Sequence, residues 1–339
     1  MRKISFFKWF LVAFFCMTSL NAKEVNIYVE RDYAAYKEIS ELFVKESGIR
    51  ANFIVVEPRE LFSRMQNESK NPNADLFIIS NIGAIDKVKS AGLTQKVISK
   101  VLDKEIPSYL RDNENEWFGI AKRARIIVYA KDRINPTSIK TYDDLTKPEF
   151  KGKVLIRSSS NIYNQALLAS MIKEYGEVGA KKWALGMVNN FAREPKGNDR
   201  DQARDVVNKI GDVAVMNNYY LGFFLQSKDE KDVNVAKALG VIFPNQESSG
   251  TFINITGAGI LKGAKNYDNA VKFLEFLANS AKAQTLFVRD SNEYPVNPKA
   301  TPNDTVSAWG TFKESTIDMN TIAKNSKKAV DIFNKVNWK

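Results

Sequence analysis

Tyrosines stand at three places where a predicted strand gives way to a predicted helix. The first junction contains Tyr33 and Tyr36, the second contains Tyr163, and the third contains the adjacent pair Tyr219 and Tyr220. A single tyrosine is usually an ordinary amphipathic side chain, and the chain has 12 of them. Five at such junctions form a candidate site, because open α/β sheets bind ligands where strands end and helices begin.

Phenolic oxygens gathered in a cleft indicate a hard metal ion such as Fe³⁺, because hard cations select oxygen donors. The unperturbed phenol pKa is about 10, but a bound metal favours the phenolate form. Three phenolates would neutralise a trivalent ion, and Arg31, Arg157 or Arg200 could compensate any excess negative charge. Calcium or magnesium would instead require carboxylates, carbonyls and waters.

The composition excludes several other kinds of chemistry. The chain has no histidine, which removes the Ser-His-Asp triad, histidine acid–base catalysis and ordinary histidine zinc sites. Its single cysteine, Cys16, lies in the segment that we expect to be removed. The net charge of +11 is dispersed among acidic residues, which predicts a solvated basic surface rather than a nucleic-acid interface.

Residues 1–22 are typical of a secretory signal peptide. Arg2, Lys3 and Lys8 flank a run rich in apolar residues, and Ala22 offers a small residue for cleavage. The uninterrupted apolar stretch is too short for a membrane anchor, since a spanning helix needs about 20 apolar residues. We therefore predict an exported chain that begins at Lys23 after cleavage.

The elements that must position the tyrosines alternate between strands and helices. Strand-like patterns cover residues 25–29, 54–56, 76–79, 154–157 and 213–216, and longer extended patterns cover 117–131 and 251–261. Helical patterns cover residues 34–47, 60–68, 85–91, 162–174, 202–209, 269–277, 281–287 and 322–336. This alternation predicts an α/β protein built from βαβ units.

The two long extended patterns predict two lobes joined by crossing strands. We expect the first lobe to begin with residues 23–121, the second lobe to span 122–255, and residues 256–339 to return to the first lobe with the C-terminal helices. Each lobe is expected to be a mixed sheet flanked by helices.

At these junctions the chain resembles the ferric-ion-binding proteins of periplasmic iron importers, which belong to the type II periplasmic binding protein class. Residues 25–33 resemble the opening strand and first ligand loop of that family, and residues 73–77 and 293–298 resemble two further segments. The most specific likeness is residues 215–220, Val-Met-Asn-Asn-Tyr-Tyr, because the family's paired tyrosines lie at such a junction. The resemblance covers nearly the whole chain after residue 22.

The resemblance implies periplasmic capture of Fe³⁺ and its delivery to an inner-membrane ABC permease. It implies that Tyr219 and Tyr220 are iron ligands, together with Tyr163 and Tyr33. Many relatives have a histidine just before the first of these tyrosines, whereas this chain has Asp32. Tyr36, Asp32 itself, an anion or a water could replace that ligand, and we predict Tyr36.

Several residues around the ligands also have expected roles. Arg31, Arg157 and Arg200 are predicted to compensate the charge of the phenolates, and Asp32 is a further candidate neighbour. Arg200 could equally form a surface ion pair with Asp199 or Asp201. We expect serines 158–160 to cap the helix that carries Tyr163, with a synergistic anion at these hydroxyls as the alternative.

Other functions remain open at the level of sequence. A binding protein for thiamine, a polyamine or phosphate would use the same tyrosines for stacking or hydrogen bonding. A secreted glycosidase would need two suitably placed carboxylates, and no acid pair suggests one. We predict a monomeric binding protein for ferric ion or a ferric chelate, with no catalytic activity and no nucleic-acid partner.

Overall fold

The computed structural model describes residues 23–339. The predicted signal peptide and its cleavage after Ala22 lie outside the described residues. The strands are β1 (Glu24–Val29), β2 (Arg50–Val55), β3 (Leu76–Ser80), β4 (Phe118–Ala130), β5 (Val154–Leu155), β6 (Val213–Asn217), β7 (Leu239–Ile242), β8 (Ile253–Ile260) and β9 (Tyr294–Pro295). The helices are α1 (Ala35–Ser47), α2 (Pro58–Asn67), α3 (Ile82–Ser90), α4 (Lys100–Glu105), α5 (Ile162–Asn190), α6 (Asp199–Val207), α7 (Asn218–Leu225), α8 (Glu230–Ala238), α9 (Tyr267–Asn279), α10 (Ala281–Arg289), α11 (Asp304–Ser307) and α12 (Met319–Lys335).

The strands form a mixed sheet in the order β2-β1-β3-β8-β4-β6-β5, and β7 and β9 also pair with β4. β1 runs parallel to β2 and β3, whereas β8 runs antiparallel to β3 and β4. The long strand β4 pairs with β8 over residues 118–124 and with β6 over residues 125–129. β4 therefore passes from one group of strands to the other, as a strand that joins two lobes must.

Both faces of β6 are buried, which explains its continuous apolar sequence. Val213 and Val215 belong to the larger core cluster, whereas Ala214 and Met216 belong to a smaller one. Successive side chains of a strand point to opposite faces, so helices must cover both sides. Residues of α6, α7 and α8 cover one side and residues of α5 contribute to the core on the other.

The predicted elements are present, with differences at their ends. α5 continues well past residue 174 to Asn190 through a break at Gly176, whose φ of 70° is easy for a residue without a Cβ. The predicted strand 154–157 ends already at Leu155, which leaves Arg157 in a loop. The helices α4, α8 and α11 and the strands β7 and β9 were not predicted.

The C-terminal segment packs on the loop that precedes α5. α12 lies along α5 and also contacts α3. The buried Trp338 packs edge-on against Phe191, and its Nε1 donates to the carbonyl oxygen of Arg157 at 3.2 Å. The last helix thus contacts both predicted lobes, and the division at residues 122 and 256 stays a prediction. Among residues 23–339, no helix has the length and apolar character needed to span a bilayer.

Candidate metal-binding site

Two strand–helix junctions bring three of the predicted tyrosines together. Tyr163 lies in the first turn of α5, and Tyr219 and Tyr220 lie in the first turn of α7 directly after β6. The hydroxyl of Tyr219 donates to the hydroxyl of Tyr163 at 3.1 Å, and the rings of Tyr219 and Tyr220 lie 4.3 Å apart between centroids. Three phenols from two separate segments therefore converge.

The cap of α5 differs from the predicted one. Asn161 is the N-cap, and its side-chain oxygen accepts from the backbone N–H of Tyr163 at 3.1 Å and of Asn164 at 3.3 Å. The predicted capping by serines 158–160 is wrong, because the Ser158 and Ser160 hydroxyls bond to each other at 2.7 Å. Asparagine is as good an N-cap as serine, and here it is the residue directly before the helix.

The first junction holds its two tyrosines in different ways. Tyr33 lies in the loop between β1 and α1, half-buried, whereas Tyr36 is buried in the first turn of α1. Their rings meet edge to face with centroids 5.6 Å apart. The ring of Tyr36 also stacks on Phe53 at 4.1 Å. Stacking therefore fixes the ring of Tyr36 against the core on which α1 packs. The position of Tyr33 is instead set by the loop.

Tyr33, Tyr36 and Tyr219 line one small cavity of about 30 Å³. A single water needs roughly 10–15 Å³ measured in this way, so the cavity has room for an ion or for one or two waters. Pockets for drug-sized organic molecules are commonly about 300–1,000 Å³. Tyr163 and Tyr220 do not line the cavity, but Tyr163 contacts Tyr219, which does. Asp32 is exposed and lies outside the lining.

Five guanidinium groups surround the tyrosine rings. Arg31 and Arg123 lie over the ring of Tyr219 at 5.7 and 6.0 Å, Arg125 and Arg157 lie over Tyr163 at 5.9 and 5.4 Å, and Arg200 lies over Tyr220 at 6.0 Å. Cations at such distances are attracted to the faces of aromatic rings. Five positive charges therefore lie close to the tyrosine rings.

Arg123 and Arg125 were missed at the level of sequence. Both lie on β4, two residues apart, and both are buried. A solvated basic surface was the general expectation for the charged residues, yet two arginines within a long apolar strand are unusual, since buried charges must be paired. That alternation, Arg-Ala-Arg in an apolar strand, was the available indication.

Three carboxylates balance part of this positive charge. Buried Glu293 pairs with Arg123 at 3.2 Å and accepts from the Thr256 hydroxyl at 2.8 Å. Glu30 accepts from the backbone N–H and the hydroxyl of Ser80, each at 2.7 Å. Glu30 and Glu293 both line the cavity. Neither was predicted as a site residue, although both fall in segments that carried the family resemblance.

The third carboxylate, Asp199, lies at the start of α6. It accepts from Arg125 at 2.8 Å and from Arg157 at 3.3 Å. Asp201 caps its own helix and lies 3.7 Å from Arg204. The alternative surface pairing of Arg200 is therefore not formed with either aspartate, and the guanidinium of Arg200 faces Tyr220 instead.

Burial raises the pKa of the site phenols. The pKa of Tyr33 is raised by burial, and the charge of Arg31 partly opposes the rise. The pKa of Tyr219 is raised well above its usual value by burial and further by Tyr163 and Tyr220, whereas Arg123 and Arg31 oppose this. Burial also raises the pKa of Tyr163 and of Tyr36. These phenols therefore hold their protons at neutral pH.

Carboxylate metal sites are not found in the described part of the chain. Within residues 23–339, no group of three or more aspartate or glutamate side chains is arranged to hold a metal ion. Glu30 and Glu293 are instead engaged by hydroxyl, amide or guanidinium donors. The phenols of Tyr33, Tyr36 and Tyr219 are among the other oxygen donors that line the cavity.

Comparison with known proteins identifies the family. The family model for bacterial extracellular solute-binding proteins matches residues 71–324. The chain belongs to this family. This solute-binding protein is 39% identical over 317 residues to Iron uptake protein A1 of Synechocystis sp., an alignment that covers 94% of the chain and 88% of the relative. It is 25% identical over 280 residues to the Major ferric iron-binding protein of Neisseria meningitidis, with 81% of each chain covered.

Solved structures of relatives share the fold closely. The Trichodesmium protein IdiA (FutA), solved in complex with iron and citrate ligands, superimposes with a TM-score of 0.90 at 39% identity, covering 93% of this chain and 100% of the other. A ferric binding protein from Campylobacter jejuni gives a TM-score of 0.82 at 43% identity, with 93% and 100% covered. The predicted two-lobed α/β architecture of periplasmic binding proteins is confirmed, and the chain is a transport protein rather than an enzyme.

Proposed function

We propose that this solute-binding protein captures ferric ion in the periplasm with tyrosinate ligands and delivers it, as a monomer, to an ABC permease of the inner membrane. The observation that carries the proposal is the convergence of phenols from the first and third junctions on an ion-sized space, with the phenol of the second junction in contact with one of them. Tyr219 contacts Tyr163 at 3.1 Å and shares the cavity of about 30 Å³ with Tyr33 and Tyr36. The names of relatives that bind iron support the same cargo.

The proposed ligands are Tyr33, Tyr163, Tyr219 and Tyr220, with Tyr36 as the fifth. Tyr36 is favoured over Asp32 because Tyr36 lines the cavity, whereas Asp32 is exposed outside it. The ring of Tyr36 is already fixed by stacking on Phe53, so its hydroxyl would bind without ordering a mobile side chain.

The charge around the cavity fits a site that holds more phenolates than the ion can neutralise. Four or five phenolates would exceed the charge of Fe³⁺ by about one or two. Glu293 neutralises Arg123, and Asp199 neutralises one of its two arginine partners. Arg31, Arg200 and the remaining partner of Asp199 then supply three positive charges close to the rings, and Glu30 in the cavity lining offsets one of them, which leaves about two.

A small oxyanion, alone or together with iron, is the second candidate ligand. The observation that favours it is the ring of arginines, since guanidinium groups bind oxyanions well. One related structure contains citrate as well as iron. An organic nutrient such as thiamine or a polyamine fits the small cavity and its positive charge poorly.

A visible spectrum of the purified protein, titrated with chelated Fe³⁺, tests the proposal. We expect a broad phenolate-to-iron absorption band that is lost in Tyr219→Phe/Tyr220→Phe. Tyr267→Phe is the matched control, because that hydroxyl donates to the Lys96 carbonyl away from the cavity. Absence of a band in the unmodified protein would overturn the iron proposal, and binding of phosphate without iron would favour the second candidate.

A further inference from the structure

Asp199 is a fully buried carboxylate with two arginine partners. Its exposure is 0%, and it pairs with Arg125 of β4 at 2.8 Å and with Arg157 of the loop after β5 at 3.3 Å. Withdrawing such a group from water is costly, and a hydrophobic substitute often stabilises a fold equally well. We therefore expect Asp199 to have a role other than stabilising the fold.

The partners of Asp199 enclose one of the proposed ligands. Arg125 and Arg157 both lie over the ring of Tyr163. Arg125 also donates to the side-chain oxygen of Asn164 at 2.7 Å, and the Asn164 side-chain N–H donates to the carbonyl oxygen of Arg157 at 2.7 Å. Asn164 is the neighbour of Tyr163 in the chain, so the contacts close a loop around that tyrosine.

The same two arginines carry unpaired donors. Within residues 23–339, the buried Nε atoms of Arg125 and Arg157 have no hydrogen-bond acceptor. Buried donors are nearly always paired, and exceptions concentrate at functional sites. Their guanidinium groups lie over an aromatic ring, which orients them toward Tyr163 at the expense of ordinary hydrogen bonds.

We propose that Asp199 is a positioning residue that holds Arg125 and Arg157 against Tyr163 and sets the charge beside that phenol. Two guanidinium groups and one carboxylate leave a single net positive charge beside the ring. Without the carboxylate, the two like charges would repel each other, and Arg157 would lose its anchor at the ring of Tyr163. The inference rests on the proposed function, because Tyr163 must be an iron ligand for this charge to matter.

The variant Asp199→Asn removes the charge and nearly preserves the shape. We expect ferric affinity to fall by about 10–100-fold, the usual loss when a partner of a metal ligand is removed. The tyrosinate band should change in position or intensity, as we also expect for Tyr163→Phe. The matched control is Asp205→Asn on the same helix, because Asp205 pairs with Arg193 at 2.8 Å rather than with an arginine over a tyrosine. This control should keep the unmodified band and affinity.

A double-mutant cycle separates positioning from a general effect on the fold. If Asp199 acts through Tyr163, then Asp199→Asn adds little to the loss in affinity already caused by Tyr163→Phe. If Asp199→Asn does not fold, Arg157→Gln enters the same cycle, since Arg157 is only partly buried. Independent, multiplying losses in the cycle would overturn the inference, as would an unchanged band in Asp199→Asn. A missing band in the unmodified protein would instead overturn the proposed function and this inference with it.

Discussion

The two halves of the tyrosine site are held in place differently. We call Tyr163, Tyr219 and Tyr220 the α5–α7 half, and Tyr33 and Tyr36 the α1 half. Every tyrosine of the α5–α7 half lies in the first turn of a helix, and arginines lie over all three rings. In the α1 half, Tyr36 is fixed by aromatic stacking, while Tyr33 stands in a loop.

This difference suggests an order of events in ligand capture. The α5–α7 half has converging phenols and charge compensation already in place, so it is organised before the ion arrives. We propose that the α1 half, in which Tyr33 stands in a loop, completes the site as the lobes close. We expect substitutions in the two halves to differ in kind as well as in size.

The largest effect is expected when the α5–α7 half loses its contacting pair. Tyr163→Phe/Tyr219→Phe removes both hydroxyls of the 3.1 Å contact and leaves both rings in place. We expect no tyrosinate band at iron concentrations that saturate the unmodified protein. The comparison variant, Tyr33→Phe/Tyr36→Phe, should still develop the tyrosinate band when iron is added. It should lose the ion to a chelator more readily than the unmodified protein does. If both double variants lost the absorption band to the same extent, the proposed difference between the two halves would be wrong.

The slope of iron affinity against pH should report how many phenols of the two halves ionise when iron binds. Burial raises the pKa of Tyr33, Tyr163 and Tyr219 above the usual value, so these three phenols are protonated in the free protein between pH 5 and pH 8. Binding must release these protons, so affinity falls as pH falls, by about tenfold per pH unit for each phenol that ionises. Chelator competition at several pH values measures the slope.

Removing a single ligand should change that slope by a defined amount. The slope for Tyr33→Phe should be smaller by about one proton than that of the unmodified protein. The slope for Tyr267→Phe should not change, since that phenol lies outside the cavity. An affinity that stayed flat across this pH range would exclude phenolate ligands.

The strands and helices of this fold were easier to predict from the sequence than the arginine–carboxylate contacts around the tyrosines. The junction tyrosines could be found because strand and helix patterns are local, and they come together in the structure at Tyr219 and Tyr163. The pairing of Asp199 with Arg125 joins residues 74 positions apart and leaves no periodic pattern. The cap Asn161 was overlooked because three serines nearby offered an equally good local explanation.

We expect a smaller effect, on the rate of iron release, when only the α1 half is changed. Tyr33→Phe leaves the α5–α7 half intact, so initial capture should keep its rate while release becomes faster. We expect release to accelerate by at least about 10–100-fold, the range for losing even an indirect partner of a metal. Stopped-flow measurement of band formation and of chelator-driven decay separates the two rates. A slower capture with unchanged release would reverse the proposed order of events.

The smallest effect is expected within the α1 half, where it decides which residue takes the place of the family's histidine. Tyr36→Phe keeps the ring on Phe53 and removes only the hydroxyl, so thermal stability should stay nearly constant. If Tyr36 is the fifth ligand, affinity should fall by about tenfold, the lower end of the range for losing an indirect partner of a metal, because four phenolates remain.

Asp32→Asn is the matched test, since Asp32 is exposed and lies outside the cavity lining. It should leave affinity and the absorption band unchanged. The opposite pattern, with Asp32→Asn weakening iron binding and Tyr36→Phe having no effect, would show that the loop moves Asp32 inward when iron binds. The α1 half would then contribute both of its ligands from the loop, and its difference from the preorganised α5–α7 half would be larger still.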